Sequence, residues 1–153
     1  MANTYTQLYI HLVFAVRNRE ALIKKPWKNE LESYITGIVQ NYGHKMLAIN
    51  SMPDHIHILV GYNQNMLIPD LVEHIKTSTN RFVKTKGFCP YTFSWQKGYG
   101  AFSHSRSQIS IVGRYIENQE AHHRKKSFQD EYLELLRKFE VDYDQRYVFD
   151  FFD

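Results

Sequence analysis

The sequence predicts an α+β fold in which an antiparallel sheet is covered by helices. Segments with the alternating apolar pattern of strands are interleaved with segments in which apolar residues recur at helical spacing. Their order is strand, helix, strand, strand, helix, strand, helix, which is that of the split β-α-β, or ferredoxin-like, arrangement. An extra strand and a terminal helix are additions to it.

The first half of the chain supplies a strand, a helix and a pair of strands. Residues 5–16 alternate, with Leu12 and Phe14 on the apolar parity, and this predicts a strand. Pro26 suits a first helical turn, and apolar residues at helical spacing follow until Gly43 stops the helix. The turn-forming Met52-Pro53-Asp54 joins two predicted strands, residues 45–50 and 55–61.

The second half adds two further helices, a strand pair and a final helix. A helix from about Pro69 to Lys86 is closed by Gly87, whose missing side chain suits a helix end. Ser127-Phe128-Gln129-Asp130 resembles a capping box and predicts the start of the last helix. The other predicted elements are short strands over 91–96 and 99–104 and a helix over roughly 107–121.

Size and composition indicate one folded domain, residues 1–153. Hydrophobic residues make up 43% of the 153 residues, which is ample for a core. The single cysteine, Cys89, excludes an internal disulfide and any cysteine-rich zinc module. No segment resembles a signal peptide or approaches the roughly 18 apolar residues of a membrane span. We therefore expect a soluble, cytoplasmic protein, and the net charge of +3 permits a polyanionic partner without proving one.

Two histidines lie one residue apart in the predicted strand over 55–61. Strand side chains alternate between faces, so His55 and His57 point the same way, roughly 7 Å apart at Cα, opposite the apolar Ile56 and Ile58. Both rings can converge on one cation, and imidazole is the commonest metal ligand. Because the chain has 8 histidines, the pair alone is a weak signal, and a strand that merely carries two imidazoles is the plainer interpretation.

Tyr115 and Gln119 lie four residues apart in the helix predicted over 107–121 and so share one face. In the plain interpretation Tyr115 sits at the edge of the core and Gln119 is merely exposed. In the functional one, a divalent ion held by His55, His57 and the amide oxygen of Gln119 activates a phosphodiester toward Tyr115. A phenol is otherwise a poor nucleophile at neutral pH.

Four stretches together resemble the single-tyrosine transposases of small insertion sequences, whose motif is histidine–hydrophobic–histidine. Residues 52–57, MPDHIH, resemble that motif, and residues 93–103, FSWQKGYGAFS, resemble the family's strand pair. Residues 115–119, YIENQ, resemble its nucleophile helix, and residues 141–147, VDYDQRY, its usual ending. The matches occur in the family's order and span nearly the whole chain.

The resemblance implies an enzyme that cuts and rejoins single-stranded DNA near hairpins at element ends. It implies that Tyr115 is the nucleophile of a 5′-phosphotyrosine intermediate. His55, His57 and Gln119 would be ligands of Mg²⁺ or Mn²⁺, and no nucleotide cofactor would be used. It also implies a homodimer in which the tyrosine helix of one subunit completes the histidine site of the other.

Basic residues offer candidate phosphate contacts. Lys76 and Lys84, with Arg81 adjacent, form a row on the predicted outer face of the second helix, which is equally well a solvated face. The run from His122 to Lys126 is interpreted as a polar linker rather than a phosphate contact. Further candidates are Arg17, Arg19 and Lys97.

Three other functions stay open at this point. One is a domesticated relative of these transposases that acts on repeated palindromes. The second is a non-catalytic nucleic-acid-binding module, which predicts aromatic residues where this sequence has His55 and His57. The third is a metal-dependent hydrolase that uses water and needs no tyrosine. The hairpin and cleavage sequences, the native metal and the mobility of the element do not follow from the sequence.

Overall fold

A computed structural model describes residues 3–148, except for the side chains of Arg19 and Gln145. Its centre is a four-stranded antiparallel sheet in the order β2-β3-β1-β4. The strands are β1 (Tyr9–Ala15), β2 (Lys45–Met52), β3 (His55–Gly61) and β4 (Gly100–His104). The helices are α1 (Lys25–Asn41), α2 (Ile68–Lys86), α3 (Ile109–Glu117), α4 (Gln119–His122), α5 (Phe128–Lys138) and α6 (Gln145–Val148).

This order of elements confirms the predicted α+β fold. A strand, a helix, two strands, a helix and a strand follow one another along the chain. The four strands form the sheet, and its two middle strands, β1 and β3, run antiparallel. Their register pairs Ala15 with His55 and Val13 with His57. Because alternate strand residues share a face, this register gathers His11, His55 and His57 on one side of the sheet.

Helices α1 and α2 cover the opposite side. The predicted parity of β1 is confirmed, since Leu12 and Phe14 pack in the same cluster as Ile56 and Ile58 of β3. Leu31 in α1 and Ile75 in α2 are fully buried there, and each such side chain stabilises the fold by about 1.5–3 kcal/mol. This is the main apolar core.

The histidine side of the sheet is covered by α3 and α5. Val112 and Ile116 of α3 pack on Ala48 and Leu59 of the sheet. The apolar residues of α5 form a second cluster with β1 and β4, made of Val13, Ala15, Phe102, Phe128, Tyr132 and Leu136. Side chains on both faces of β3 are therefore buried, histidines included.

The prediction of a strand over 91–96 is wrong. That segment makes only an isolated bridge between Trp95 and Val16. Its alternating aromatic residues enter the core instead: Phe93 and Trp95 are buried, and Trp95 Nε1 donates to Thr79 Oγ1 at 2.7 Å. The alternation that predicted a strand reflects side chains inserted into the core from a loop.

The prediction of one continuous helix over 107–121 is also wrong. A 3₁₀ turn, Arg106–Gln108, leads into α3, and α3 ends at Glu117. Asn118 leaves helical geometry, with φ −95° and ψ 19°, before α4 begins. The side-chain amide of Asn50 on β2 donates to the carbonyl oxygens of Ile116 (2.8 Å) and Glu117 (3.3 Å). These bonds satisfy carbonyls at the end of α3 and fix that end to the sheet.

Within residues 3–148, no helix is both long enough and apolar enough to cross a membrane.

Candidate active site

The last long helix, α5, brings a carboxylate onto the histidine face of the sheet. Ser127 caps this helix by accepting a hydrogen bond from the backbone N–H of Asp130, as the capping-box pattern predicts. Phe128 and Tyr132 of α5 pack on the sheet, so the residue between them on the inner face, Glu131, points into the protein. Glu131 is only 2% exposed.

Both oxygens of the Glu131 carboxylate accept hydrogen bonds. Oε1 lies 3.1 Å from Nε2 of His57 and 3.0 Å from Nε2 of His123. Oε2 accepts from the Tyr115 hydroxyl and, at 2.9 Å, from Nε2 of Gln119. A carboxylate that is buried costs free energy unless it is paired. These four contacts supply the pairing.

The pKa values in this cluster follow from burial and from Glu131. Burial would raise the pKa of Glu131, but hydrogen bonds from His123 and His57 outweigh it and hold that pKa well below its usual range. Burial lowers the pKa of His57 to about 4, despite the opposing hydrogen bond to Glu131. For His123 the balance is reversed: burial lowers its pKa, but the bond to Glu131 leaves it raised. The cluster therefore holds an ionised carboxylate beside neutral His57.

Tyr115 extends from α3 toward the same carboxylate. Its ring centre lies 5.8 Å from that of His57 and 6.3 Å from that of His11, and its hydroxyl donates to Glu131. Burial, and then the negative charge of Glu131, raise the pKa of Tyr115 strongly. The phenol is thus fully protonated at neutral pH in the metal-free protein, and a nearby positive charge is needed to favour its ionised form.

Gln119, the first residue of α4, lies on the other side of the break at Asn118. Its side chain is buried, and its Oε1 lies 2.8 Å from His123 Nε2 and 3.3 Å from His55 Nε2. Tyr115 and Gln119 still lie close together although the helix is interrupted between them, because both side chains donate to Glu131.

The donor atoms around His55 are arranged as a cation site requires. Nδ1 of His55 lies 2.7 Å from the Asp54 carboxylate, and its Nε2 lies 3.3 Å from Gln119 Oε1 and 3.7 Å from Glu131 Oε1. In the tautomer with the proton on Nδ1, Nε2 has a lone pair beside these two oxygens, and one cation could contact all three atoms. The carboxylate–histidine pair of Asp54 and His55 is the usual means of orienting a metal-ligating imidazole.

One group of side chains in the described part of the chain can hold a metal ion. Its members are His55, His57, His123 and Glu131, whose ligand atoms all lie within 4.8 Å of one another. Together with the oxygen of Gln119, this set combines imidazole, carboxylate and amide donors. The residues present therefore fit a divalent cation.

The structure brings together the four residues singled out from the sequence, His55, His57, Tyr115 and Gln119. Their roles remain predictions. The sequence interpretation missed Glu131, and it took His123 for part of a linker, whereas His123 lies in the cluster. A signal for Glu131 was present, because a glutamate stands on the apolar stripe of an amphipathic helix between Phe128 and Leu135.

The phosphate contacts predicted on α2 lie away from this cluster. Helix α2, with Arg81 and Lys84 exposed, packs on the side of the sheet opposite the histidines. The outer-face position predicted for Lys76 is wrong: its ammonium donates to the carbonyl oxygens of Gln96 (2.7 Å) and Gly98 (2.6 Å). Burial lowers the pKa of Lys76 to about 8.

Arg17 and Lys97 are exposed, as phosphate contacts would be. The side chain of Arg19 lies outside the described part of the structure. DNA contact by any of these residues stays a prediction.

Comparison with known proteins gives one family match. The family model described as "Transposase IS200 like" matches residues 4–119. That range includes β1, β3, Tyr115 and Gln119 but stops before His123 and Glu131.

Individual relatives agree with the family match. The chain is 25% identical to the ISDra2 transposase TnpA of Deinococcus radiodurans over 118 residues, which is 74% of this chain and 84% of the relative. The crystal structure of a putative transposase from Deinococcus radiodurans R1 superimposes with a TM-score of 0.62 at 24% identity, covering 78% of this chain and 95% of that one. A REP-associated tyrosine transposase bound to a REP hairpin superimposes with a TM-score of 0.60 at 14% identity, covering 100% and 93%. These two superpositions show that the fold is shared.

Proposed function

The chain belongs to the IS200-like transposase family, and on this basis we propose that it cleaves and rejoins single-stranded DNA through a covalent bond to Tyr115. The substrate we propose is DNA with a hairpin next to the cleavage site. The REP-associated neighbour, which is bound to a REP hairpin, supports that choice.

The observation that carries the proposal is the hydrogen bond from the Tyr115 hydroxyl to Glu131. A phenol becomes a nucleophile when a base accepts its proton. Glu131 is an ionised carboxylate already in contact with that proton, and Tyr115 is half-buried rather than enclosed.

A divalent metal fits the same cluster. We propose that His55, His57 and Gln119 hold it, with His123 and Glu131 as further ligands. Imidazoles beside a carboxylate and an amide oxygen suit Mn²⁺ better than Mg²⁺, which prefers oxygen ligands. When bound, the ion supplies positive charge that polarises the scissile phosphate and favours the ionised phenol.

The proposed reaction balances with the residues present. Glu131 takes the hydroxyl proton of Tyr115 while the phenolic oxygen forms a bond to phosphorus. The bond from phosphorus to the 3′ oxygen breaks, and the proton held by Glu131 passes through water to that oxygen, which regenerates the carboxylate. The products are a 5′-phosphotyrosine and a free 3′-OH. Resealing is the reverse: a 3′-OH attacks the phosphotyrosine, and Tyr115 regains its proton.

All the side chains in this scheme come from one chain. The ring centre of Tyr115 lies 5.8 Å from that of His57 within the same chain. We therefore propose a site that is complete within one subunit, in place of the shared arrangement that the sequence resemblance implies. Formation of a homodimer stays a prediction.

The test uses the full chain with a pool of single-stranded oligonucleotides, each with a hairpin and a randomised flank, in the presence of Mn²⁺. We expect a protein–DNA adduct on a denaturing gel. Tyr115→Phe should lose the adduct and keep DNA binding, whereas Tyr91→Phe, which changes a tyrosine that is 72% exposed, should behave as the unmodified protein.

Cleavage that persists in Tyr115→Phe would refute the proposal and indicate a hydrolase that uses water. Binding of the pool without any cleavage by the unmodified protein would indicate a non-catalytic module.

A further inference from the structure

The proposed nucleophile is carried by a short helix. Helix α3 has nine residues and includes Gly113. A helix of this length is marginal on its own, and an internal glycine weakens it further. Val112 and Ile116 pack on the sheet, but apolar contact is not directional and permits small displacements. Because a misplacement of about 1 Å can cost a reaction about 100-fold in rate, Tyr115 needs directional contacts that fix its helix.

Asn50 on β2 supplies such contacts. In the register of β2 and β3 it pairs with His57, so the two side chains lie on the same face of the sheet. Its Nδ2 donates to the carbonyl oxygens of Ile116 at 2.8 Å and Glu117 at 3.3 Å. These are the two residues that directly follow Tyr115. Asn50 therefore links the strand beside His57 to the backbone beside the proposed nucleophile.

Lys28 on α1 sets the orientation of the Asn50 amide. Its ammonium donates to Asn50 Oδ1 and to the carbonyl oxygen of Ser51. An ammonium has only donors, so the amide oxygen must face Lys28 and the amide nitrogen is left to face α3. Glu32 Oε2 lies 2.9 Å from Lys28 Nζ and accepts from the Ser51 N–H at 2.7 Å, which holds the ammonium in place. The cation also polarises the amide and so strengthens its bonds to the last carbonyls of α3.

We propose that Asn50, oriented by Lys28, holds Tyr115 in its place against His57 and Glu131 and is thereby a positioning residue of the proposed reaction. Asn50 acts through the backbone of α3 rather than on the reacting atoms. Its effect on the rate rests on the proposed function. The position of Tyr115 itself is a property of the resting protein and can be measured without DNA or metal.

Fluorine NMR of the full chain labelled with 3-fluorotyrosine measures that position. The signal of Tyr115 is the one that Tyr115→Phe removes. Asn50→Leu keeps the shape and removes the donor, and Asn50→Asp keeps the contact to Lys28 but turns an acceptor toward the carbonyl oxygens of α3. We expect both to shift the Tyr115 signal and to leave that of Tyr91, which is 72% exposed, in place. Lys28→Met should also shift the Tyr115 signal, and Lys28→Arg, which keeps the charge, should restore it.

The rate of adduct formation is measured with the hairpin oligonucleotide pool and Mn²⁺, separately from DNA affinity. At saturating DNA, Asn50→Leu should slow the adduct about 100-fold, while the affinity for DNA stays unchanged. Lys28→Met should slow it about tenfold, the effect of weakening one charge-assisted hydrogen bond. Because Lys28 acts through Asn50, the double variant should be no slower than Asn50→Leu alone.

Lys25→Met is the matched control. Lys25 lies on the same helix as Lys28 and also contacts the segment after α3, through Glu120 at 3.2 Å. These two side chains are 82% and 62% exposed, whereas those of Lys28 and Glu32 are 28% and 17% exposed. Since an exposed ion pair contributes little, Lys25→Met should leave both the fluorine signal and the rate unchanged. Thermal unfolding of each variant establishes that it is folded.

An unshifted Tyr115 signal in folded Asn50→Leu and Asn50→Asp would overturn the proposal, as would an unchanged rate of adduct formation in both. Slowing that adds up in the double variant would refute the action of Lys28 through Asn50. The proposed function fails separately: if the unmodified protein forms no adduct, the cleavage reaction is refuted, and the fluorine signal still decides whether Asn50 positions Tyr115.

Discussion

Nε2 of His11 and Nδ1 of His57 lie 2.8 Å apart in the interior of the protein, joined by a hydrogen bond between β1 and β3. Both side chains are at most 1% exposed, and their rings stack with centres 5.0 Å apart. If His57 binds a metal through Nε2, its remaining proton is on Nδ1, and His11 is the acceptor for it. His11 thus holds the orientation of a proposed ligand without contacting the metal.

His11→Phe should therefore weaken metal binding while the protein remains folded. Loss of such a supporting hydrogen bond typically reduces metal affinity about 10- to 100-fold. Titration of the protein with Mn²⁺, followed by electron paramagnetic resonance of the free ion, measures this directly. His11→Gln, which retains a hydrogen-bonding group, should lose less. Equal affinity in His11→Phe and the unmodified protein would show that His11 serves packing alone.

Glu131→Gln should slow adduct formation at saturating Mn²⁺ at least about 100-fold, because the amide cannot take the proton of Tyr115. Glu134→Gln is the matched control: Glu134 is on the same helix but pairs with Lys126 at the surface. The rate of appearance of the adduct is the measurement. A normal rate in Glu131→Gln would mean that another group accepts the proton.

The stability of the metal-free protein should fall as pH drops below 6.5. His57 has a folded pKa of about 4 against 6.5 unfolded, so stability falls as pH drops through that window, by about 3 kcal/mol. Glu131, with its depressed pKa, adds to the loss below about pH 4.5. The raised pKa of His123 acts in the other direction, and its contribution is lost as pH rises above 6.5.

Urea unfolding at several pH values tests this expectation. His57→Gln should flatten the dependence of the free energy of unfolding between pH 6.5 and 4. The exposed His74→Gln should leave it unchanged. The same slope in both variants would contradict a neutral, buried His57.

Gly100→Ala should destabilise the contact between β4 and α5. A Cβ at Gly100 would lie 2.9 Å from Phe102 Cε2 and 2.9 Å from the ring and hydroxyl of Tyr132. Overpacking of this kind lowers the free energy of unfolding by about 1–3 kcal/mol. Gly37→Ala, inside α1 with nothing within 4 Å of the new atom, should instead stabilise by about 0.5–1 kcal/mol. Chemical denaturation gives both values, and a stable Gly100→Ala would contradict the close packing of α5.

Mixtures of inactive variants should distinguish a site within one chain from a shared one. Tyr115→Phe lacks the nucleophile, and His57→Ala lacks a proposed ligand. Since both groups meet within one chain, a mixture of the two variants should form no adduct. Adduct restored on mixing would establish that Tyr115 of one copy acts at the histidines of another.

The local features of the fold were predictable from the sequence. The alternation in β1 and β3 and the helical spacing in α1 and α2 are properties of contiguous residues, and they predicted both the element order and the common face of His55 and His57. The break at Asn118 was not predictable, because it is stabilised by Asn50, which is 66 residues away along the chain from Ile116. The contact between Glu131 and His57 spans 74 residues. This contact forms because α5 packs on the sheet, and that packing is not visible in the local sequence pattern.

The cluster also has an order of assembly in time. A ribosome makes His55 and His57 early and Glu131 some 74 residues later. The sheet strands that carry the histidines are therefore synthesised well before the helix that carries the carboxylate. A nascent chain that has folded its first three strands holds imidazoles without their acidic partner. The complete cluster forms only after α5 has emerged and docked, so partly made chains lack the arrangement proposed to cut DNA.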